Sequence, residues 1–270
     1  QTYADNGLVD ADGRPVVVIG FDHRDRGLRP GTSDERLSEQ AYAEEVARIL
    51  AGNGLRVKLF SRVGSTPLNV FAMHHEHAAL MINFTASHNP AEDGGVEVFD
   101  GLTGGLANNP VTDPIIEAVR KDPATDQTAI SRIRRAAMDH PLIERLEPPI
   151  DAYAAYLREE LGIDPEVIRR SGLRVGFDAQ FGAGTVFAEV ARAMGLTVGE
   201  PGDPQAQVVM LNNDLDPEFG GRRNTELTPT NLEGLTALIS SEGLDLGLSV
   251  DGDGDRAGAV SLRRPAEADS

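Results

Sequence analysis

Cysteine is absent, which removes disulfides, thiol nucleophiles and thiolate zinc sites from consideration. Any nucleophile must then be an oxygen or a nitrogen. No stretch approaches the roughly 20 apolar residues that cross a bilayer. The opening QTYADNGLVDADGRP lacks both the basic start and the apolar stretch of a secretory signal, so a cytoplasmic protein is expected. There is no low-complexity tract, and no Lys/Arg-rich segment interleaved with aromatics. With 25 basic against 43 acidic residues, the formal net charge is −18, a field that repels polyanions at long range. Nucleic acid and membrane are therefore not expected as partners. A small anion stays compatible, because a few arginines and a bound cation can reverse the field locally.

What is present suits two compact domains in 270 residues. The apolar, β-branched run Val16 to Phe21 reads as a buried strand opening into Asp22. Leu37 to Ala51 follows as a helix with Ala41, Val46, Ala47, Ile49 and Leu50 on one face, ended by Gly52 and Gly54. Arg56 to Phe60 is the next strand. Thr66-Pro67 reads as an N-cap with proline first in a helix toward His74, and Ala79 to Phe84 as a strand entering Thr85-Ala86-Ser87-His88-Asn89-Pro90. A polar helix is expected from about Asp126 to His140, then a joint at Glu147-Pro148-Pro149. A second cycle places helices over Ile150 to Leu161, Gly184 to Met194 and Pro229 to Ser241, the last capped by Thr228. Its strands are Arg174 to Phe177, Gln207 to Leu211 and Leu244 to Val250. The class is α/β, with two consecutive domains, 1–146 and 147–270, each a mainly parallel sheet covered by helices. Ligands of such sheets sit at the carboxyl ends of strands.

Both domains carry an unusual polar loop at such an end. In Asp251-Gly252-Asp253-Gly254-Asp255-Arg256, carboxylates at every second position share one side, and the glycines let the backbone curl around a single ion. Hard oxygen donors of this kind suit Mg²⁺ or Ca²⁺. An EF-hand is excluded, since its sixth and twelfth positions would hold Arg256 and Leu262. The alternative is an acidic turn, which three clustered like charges disfavour unless a cation neutralises them. The serine loop alone could be an Asx or Ser turn. Paired with a metal loop, its hydroxyl supplies the parts for phosphoryl transfer.

Other candidates have plainer readings. Asp22 and Arg24 could line the site or pair on a surface loop. His74, His75 and His77 cannot all face one point on a helix. Gly220-Gly221-Arg222-Arg223 could hold a phosphate or form an ordinary turn.

Order, spacing and motif together resemble the phosphohexomutases: Phe21-Asp22-His23-Arg24 after the first strand, Thr66-Pro67, Thr85 to Pro90, Phe181-Gly182-Ala183-Gly184, Asn231-Leu232, and Leu246 to Arg256. The resemblance covers roughly residues 16 to 260. It implies that Ser87 carries a phosphate and that Asp251, Asp253 and Asp255 hold Mg²⁺ with it. Arg256 would position the phosphoserine, His88 would lie in the catalytic cleft, and Asp22 and Arg24 would face substrate. The implied reaction moves phosphate between the 1 and 6 positions of a hexose phosphate through a hexose 1,6-bisphosphate. Two family features have no counterpart. The lysine of an Asn-Gly-x-Lys segment is matched by Glu97 in Gly94-Gly95-Val96-Glu97, and the family's opening Thr-Ser-Gly-x-Arg-Gly loop is echoed only by Gly31-Thr32-Ser33 after the strand. Glu97 could act as a base or be a strand residue with Val96 and Val98 facing inward. The family also has third and fourth domains that read the sugar and clamp its distal phosphate; this sequence runs only just past the metal loop. A non-catalytic binding homologue and an aspartyl phosphatase using Asp251 are the competing readings.

Overall fold

The computed structural model describes residues 2–28, 36–107, 112–114, 116–117 and 133–261. Its contacts divide the chain into two units: Gln1–Phe21, Gly27–Thr85 and Gly94–Pro148 form the first, and Asp22–Arg26, Ala86–Asp93 and Pro149–Ser270 the second.

The first unit is built on β1 (Val16–Phe21), whose side chains are buried throughout, as required of a central strand covered on both faces. After it come α1 (Glu39–Gly52), β2 (Arg56–Phe60), α2 (Thr66–His75), β3 (Leu80–Phe84), β4 (Val96–Asp100), β5 (Gly105–Leu106) and β6 (Ile143–Leu146). The sheet order is β5-β4-β3-β1-β2-β6. Strands β2 and β3 flank β1 in parallel and β6 adds in parallel to β2, whereas β4 pairs antiparallel with β3 and β5 antiparallel with β4. Of the expected face Ala41, Val46, Ala47, Ile49 and Leu50, helix α1 fully buries only Ala47, which lies in a small-residue stripe with Ala43 and Ala51. Small side chains let the helix approach the sheet closely, and they contribute little to a hydrophobicity pattern. Ser65, not Thr66, precedes α2. The Thr66 hydroxyl instead accepts from Asn83 Nδ2 at 2.7 Å, in a buried network where Asn69 Nδ2 donates to Asn83 Oδ1 at 2.9 Å.

Three expectations change here. Residues 133–140 are not helical, and Ala136 exchanges backbone and side-chain bonds with Arg48 of α1; residues 126–132 lie outside the described set. The short edge strand β6, half-exposed along its length, was hidden by its mixed composition. Val96 is 55 % exposed instead of facing inward, while Glu97 pairs with Asn83 across the strands and accepts from its Nδ2 at 3.4 Å.

The second unit holds α3 (Ile150–Glu159), α4 (Pro165–Ser171), β7 (Val175–Asp178), α5 (Val186–Ala193), β8 (Val198–Gly199), β9 (Val208–Leu211), α6 (Glu233–Glu242), β10 (Leu246–Val250) and β11 (Ala257–Val260). Strand order is β8-β9-β7-β10-β11, parallel except for the last. Val209 packs with Leu235, Leu238 and Ile239 of α6, while Met210 packs with Ala188 of α5, so alternate residues of β9 serve opposite faces. The paired glycines Gly176 and Gly247 leave room for Leu235, whose side-chain carbons would lie about van der Waals distance or closer to an added Cβ. Helix α4 was missed, although Asp164 caps it, Pro165 begins it and Gly172 ends it at φ +68°. None of its residues is buried, so no apolar stripe marked it. Helix α6 starts four residues beyond Pro229; Thr228 Oγ1 caps a preceding turn by accepting from Asn231 N–H at 3.4 Å.

Candidate active site

Strand β10 delivers the acidic loop, and the chain curls back at once: Gly254 N–H donates to the Asp251 carbonyl at 3.1 Å, with Gly254 at φ +77°. Asp251 is fully buried, Asp253 1 % exposed and Asp255 exposed. One carboxylate oxygen from each lies within 4.8 Å of the others. Among the described residues this is the one group of three or more acidic, histidine or cysteine side chains gathered so closely; His74, His75 and His77 form no such group. Hard oxygens, two of the three carboxylates buried, fit a small divalent ion such as Mg²⁺. Burial pushes the Asp251 carboxyl above its ordinary 3.8, against a bond from the Arg256 backbone N–H, and the Asp255 charge pushes further the same way.

The serine loop belongs to this same unit. Ser87 Oγ donates to Asp251 Oδ2 at 3.4 Å, 164 positions away in sequence. Ser87 sits at φ +56°, a left-handed conformation that disfavours an L side chain by about 1–2 kcal/mol. Arg256 stands beside both loops: its Nε lies 3.8 Å from Asp251 Oδ2 and 3.9 Å from Asp255 Oδ1, and its Nη1 donates to His88 Nδ1 at 2.5 Å. A guanidinium has only donors, so His88 accepts at Nδ1 and carries its proton on Nε2.

Asp22 and Arg24, expected near substrate, are buried at 1 % and 0 % exposure. Arg24 Nε lies 2.9 Å from Asp22 Oδ2, and its two terminal nitrogens donate to the carbonyls of Ser87 and Asn89. Beside them His23 Nε2 meets the Asp216 carbonyl at 2.6 Å and the ring packs edge-on against Phe219; burial lowers its pKa.

Two residues of this arrangement escaped the sequence reading. Thr225, fully buried, donates its N–H to the His88 carbonyl at 3.0 Å and accepts Gly252 N–H at Oγ1, 2.8 Å. Gln180 Nε2 donates to the carbonyls of Thr225 and Val250. Neither lies in a motif; only their place between the two loops marks them. The segment from Gly220 forms a tight turn with Gly220 and Gly221 at φ +67° and +74°, and Arg222 stacks over Phe181 at 5.1 Å.

Two family models match: the α/β/α domain I of phosphoglucomutase/phosphomannomutase over residues 32–126, and domain II over residues 151–263. The chain belongs to the phosphoglucomutase/phosphomannomutase family. Phosphoglucosamine mutase from Clavibacter sepedonicus is 31 % identical over 248 residues, covering 90 % of this chain and 49 % of that protein. Phosphoglucosamine mutase from Frankia casuarinae is 32 % identical over 249 residues, covering 92 % and 46 %. A solved Thermus thermophilus protein described as a phosphomannomutase superposes with a TM-score of 0.66 at 27 % identity, covering 96 % of this chain and 51 % of that one. The chain thus spans about half the length of the family relatives it matches. It is an α/β chain of a phosphosugar-mutase family, and none of its described helices is long and apolar enough to cross a membrane.

Proposed function

We propose that this chain contributes the phosphoserine and metal-binding parts of a hexose-phosphate mutase, moving phosphate between the 1 and 6 positions of the sugar. The observation that carries the reading is the 3.4 Å approach of Ser87 Oγ to Asp251 in the clustered acidic loop. Asp251, Asp253 and Asp255, with an oxygen from Ser87, would hold Mg²⁺, which when bound supplies charge neutralisation to a phosphorylated serine. Ser87 Oγ takes a phosphoryl group from a hexose 1,6-bisphosphate, its O–P bond forming as a sugar O–P bond breaks and its proton ending on the freed sugar oxygen. In the return step the serine O–P bond breaks as a sugar O–P bond forms, and the sugar hydroxyl proton ends on the freed serine oxygen. Arg256 directs its guanidinium at this oxygen cluster, and neutral His88 keeps an Nε2–H donor available for a phosphate oxygen or sugar hydroxyl. In the sequence, Glu97 occupies the position of the lysine in the family's Asn-Gly-x-Lys segment. The amino sugar named by the bacterial relatives is the first hexose to try.

Intact-mass measurement with and without glucose 1,6-bisphosphate tests the reading. A phosphate adduct absent from Ser87→Ala and retained, with weaker metal dependence, in Asp251→Asn is expected. An adduct lost in Asp251→Asn and retained in Ser87→Ala would mean aspartyl chemistry, and no adduct in the wild type under any condition would leave a binding homologue.

A further inference from the structure

We infer that the buried Asp22–Arg24 pair is a positioning device for the nucleophile: it fixes the Ser87 backbone against the metal loop and thereby sets the reach of Oγ to Asp251. The catalytic part rests on the phosphoserine reading above.

A buried guanidinium is expensive unless its donors are met. Here both terminal nitrogens are met by one loop, while Nε faces one carboxylate as an ion pair without a hydrogen bond. Asp22 Oδ2 lies 2.9 Å from Nε as an ion pair, and Asp22 Oδ1 accepts Arg24's own N–H at 3.1 Å, so the carboxylate is itself anchored at the base of the arginine. Nη2 donates to the Ser87 carbonyl and Nη1 to the Asn89 carbonyl at 3.4 Å. The guanidinium lies over the Phe219 ring at 5.1 Å, which closes its remaining face. With side-chain exposure of 0 %, Arg24 offers no donor to a dissolved ligand; its charge is directed at backbone.

That backbone is the unfavourable part of the site. Ser87 is held at φ +56°, and a left-handed residue persists only where its surroundings over-determine it. Arg24 takes the carbonyl on one side of the Ser87–His88 peptide, and Thr225 N–H takes the next carbonyl, that of His88. The third wall is Gly252 of the metal loop. A Cβ there would lie 2.9 Å from the Ser87 carbonyl oxygen, 2.9 Å from Thr225 Oγ1 and 3.0 Å from Arg24 Nη2. Four residues from four separate stretches of chain therefore meet around one carbonyl, and the metal loop is among them. A planar fork can hold two carbonyls and a carboxylate at once, whereas an ammonium cannot reproduce that spread.

The test uses the 270-residue chain. Arg24→Lys, Arg24→Met and Asp22→Asn are compared with wild type by circular dichroism, Mn²⁺ titration, amide exchange and the rate of phosphate uptake from glucose 1,6-bisphosphate. All three should remain folded and bind Mn²⁺ within about threefold of wild type, since the triad is untouched. Amides of residues 87–91 should exchange roughly tenfold faster or more, with the sheet strands unaffected. Phosphorylation should slow by about 100-fold at saturating donor, with little change in the half-saturating concentration, as a misplaced nucleophile predicts. Arg24→Lys with wild-type exchange in the loop and a wild-type rate would overturn the inference. So would loss of folding in both Arg24→Lys and Asp22→Asn, which would make the pair a purely structural element. If wild type takes up no phosphate, the phosphoserine reading fails, and the exchange of residues 87–91 still decides whether the pair positions the loop.

Discussion

The Ser87 hydroxyl reaches Asp251 Oδ2 across 3.4 Å from a backbone held at φ +56°. The two features belong together: in an extended conformation the side chain would follow a different direction from its carbonyl, which Arg24 holds. Conformational strain and chemical reach are thus located in one residue.

Strain of this kind is measurable. Replacing Ser87 by glycine removes both the hydroxyl and the left-handed penalty, while alanine removes the hydroxyl alone. Ser87→Gly should be more stable to denaturant than Ser87→Ala by about 1 kcal/mol, less whatever glycine gains in unfolded-state entropy. Equal stability would mean that Ser87 relaxes out of its left-handed conformation in solution.

A metal bound only by the folded loop should stabilise it by mass action, about 2.7 kcal/mol at a hundredfold excess over Kd. Magnesium should therefore raise the melting temperature and chelator reverse the rise. Asp253→Asn should abolish most of the increment without lowering the metal-free melting temperature, because three crowded carboxylates repel when no cation is present. A metal-dependent shift that survives in Asp253→Asn would place the ion elsewhere.

Thr225 couples the two loops through opposite ends of one residue. Thr225→Val keeps the shape and the N–H bond to His88 but leaves Gly252 N–H buried and unmet, at a cost of about 1–3 kcal/mol. Urea denaturation should show that loss, and Thr225→Ser should recover most of it. A valine variant as stable as wild type would show that Gly252 finds another acceptor.

Asp178 closes β7 with its carboxyl buried, and burial raises its pKa against bonds from Asn212 and the Gln180 N–H and the charge of Arg222. A folded-state pKa above the unfolded 3.8 means the native state binds the proton more tightly. The contribution is then complete below that value and is lost as pH rises through the folded-state pKa. Asp178→Asn retains an acceptor for Asn212 and Gln180 and should remove this falling limb, so the variant gains on wild type as pH climbs toward neutrality. Parallel stability curves for the two proteins would refute it.

Much of this was legible in the residues. Buried parallel strands announced themselves as β-branched runs, as in Val16 to Phe21, and alternating Asp-Gly spacing announced a curled acidic loop. What failed to register shares one cause. Helix α4 and strand β6 bury little, so neither carries the hydrophobic period on which a sequence reading depends, and in α1, whose helix was read, the buried stripe is of alanines.

The sequence by itself determined the chemistry available: no thiol, one hydroxyl loop, one triple-carboxylate loop, and their placement at strand ends. Tertiary structure decided which residues surround those loops. Ala86–Asp93 and Asp22–Arg26 pack in the second unit, although each follows a strand of the first. That allegiance comes from bonds spanning 63 to 168 positions, such as Arg24 to Ser87 and Arg256 to His88. An arginine in a sequence reads as an exposed cation, because its burial depends on carbonyls that only the folded chain brings to it. Arg24, expected to face substrate, is buried in the folded chain with its terminal nitrogens on the Ser87 and Asn89 carbonyls.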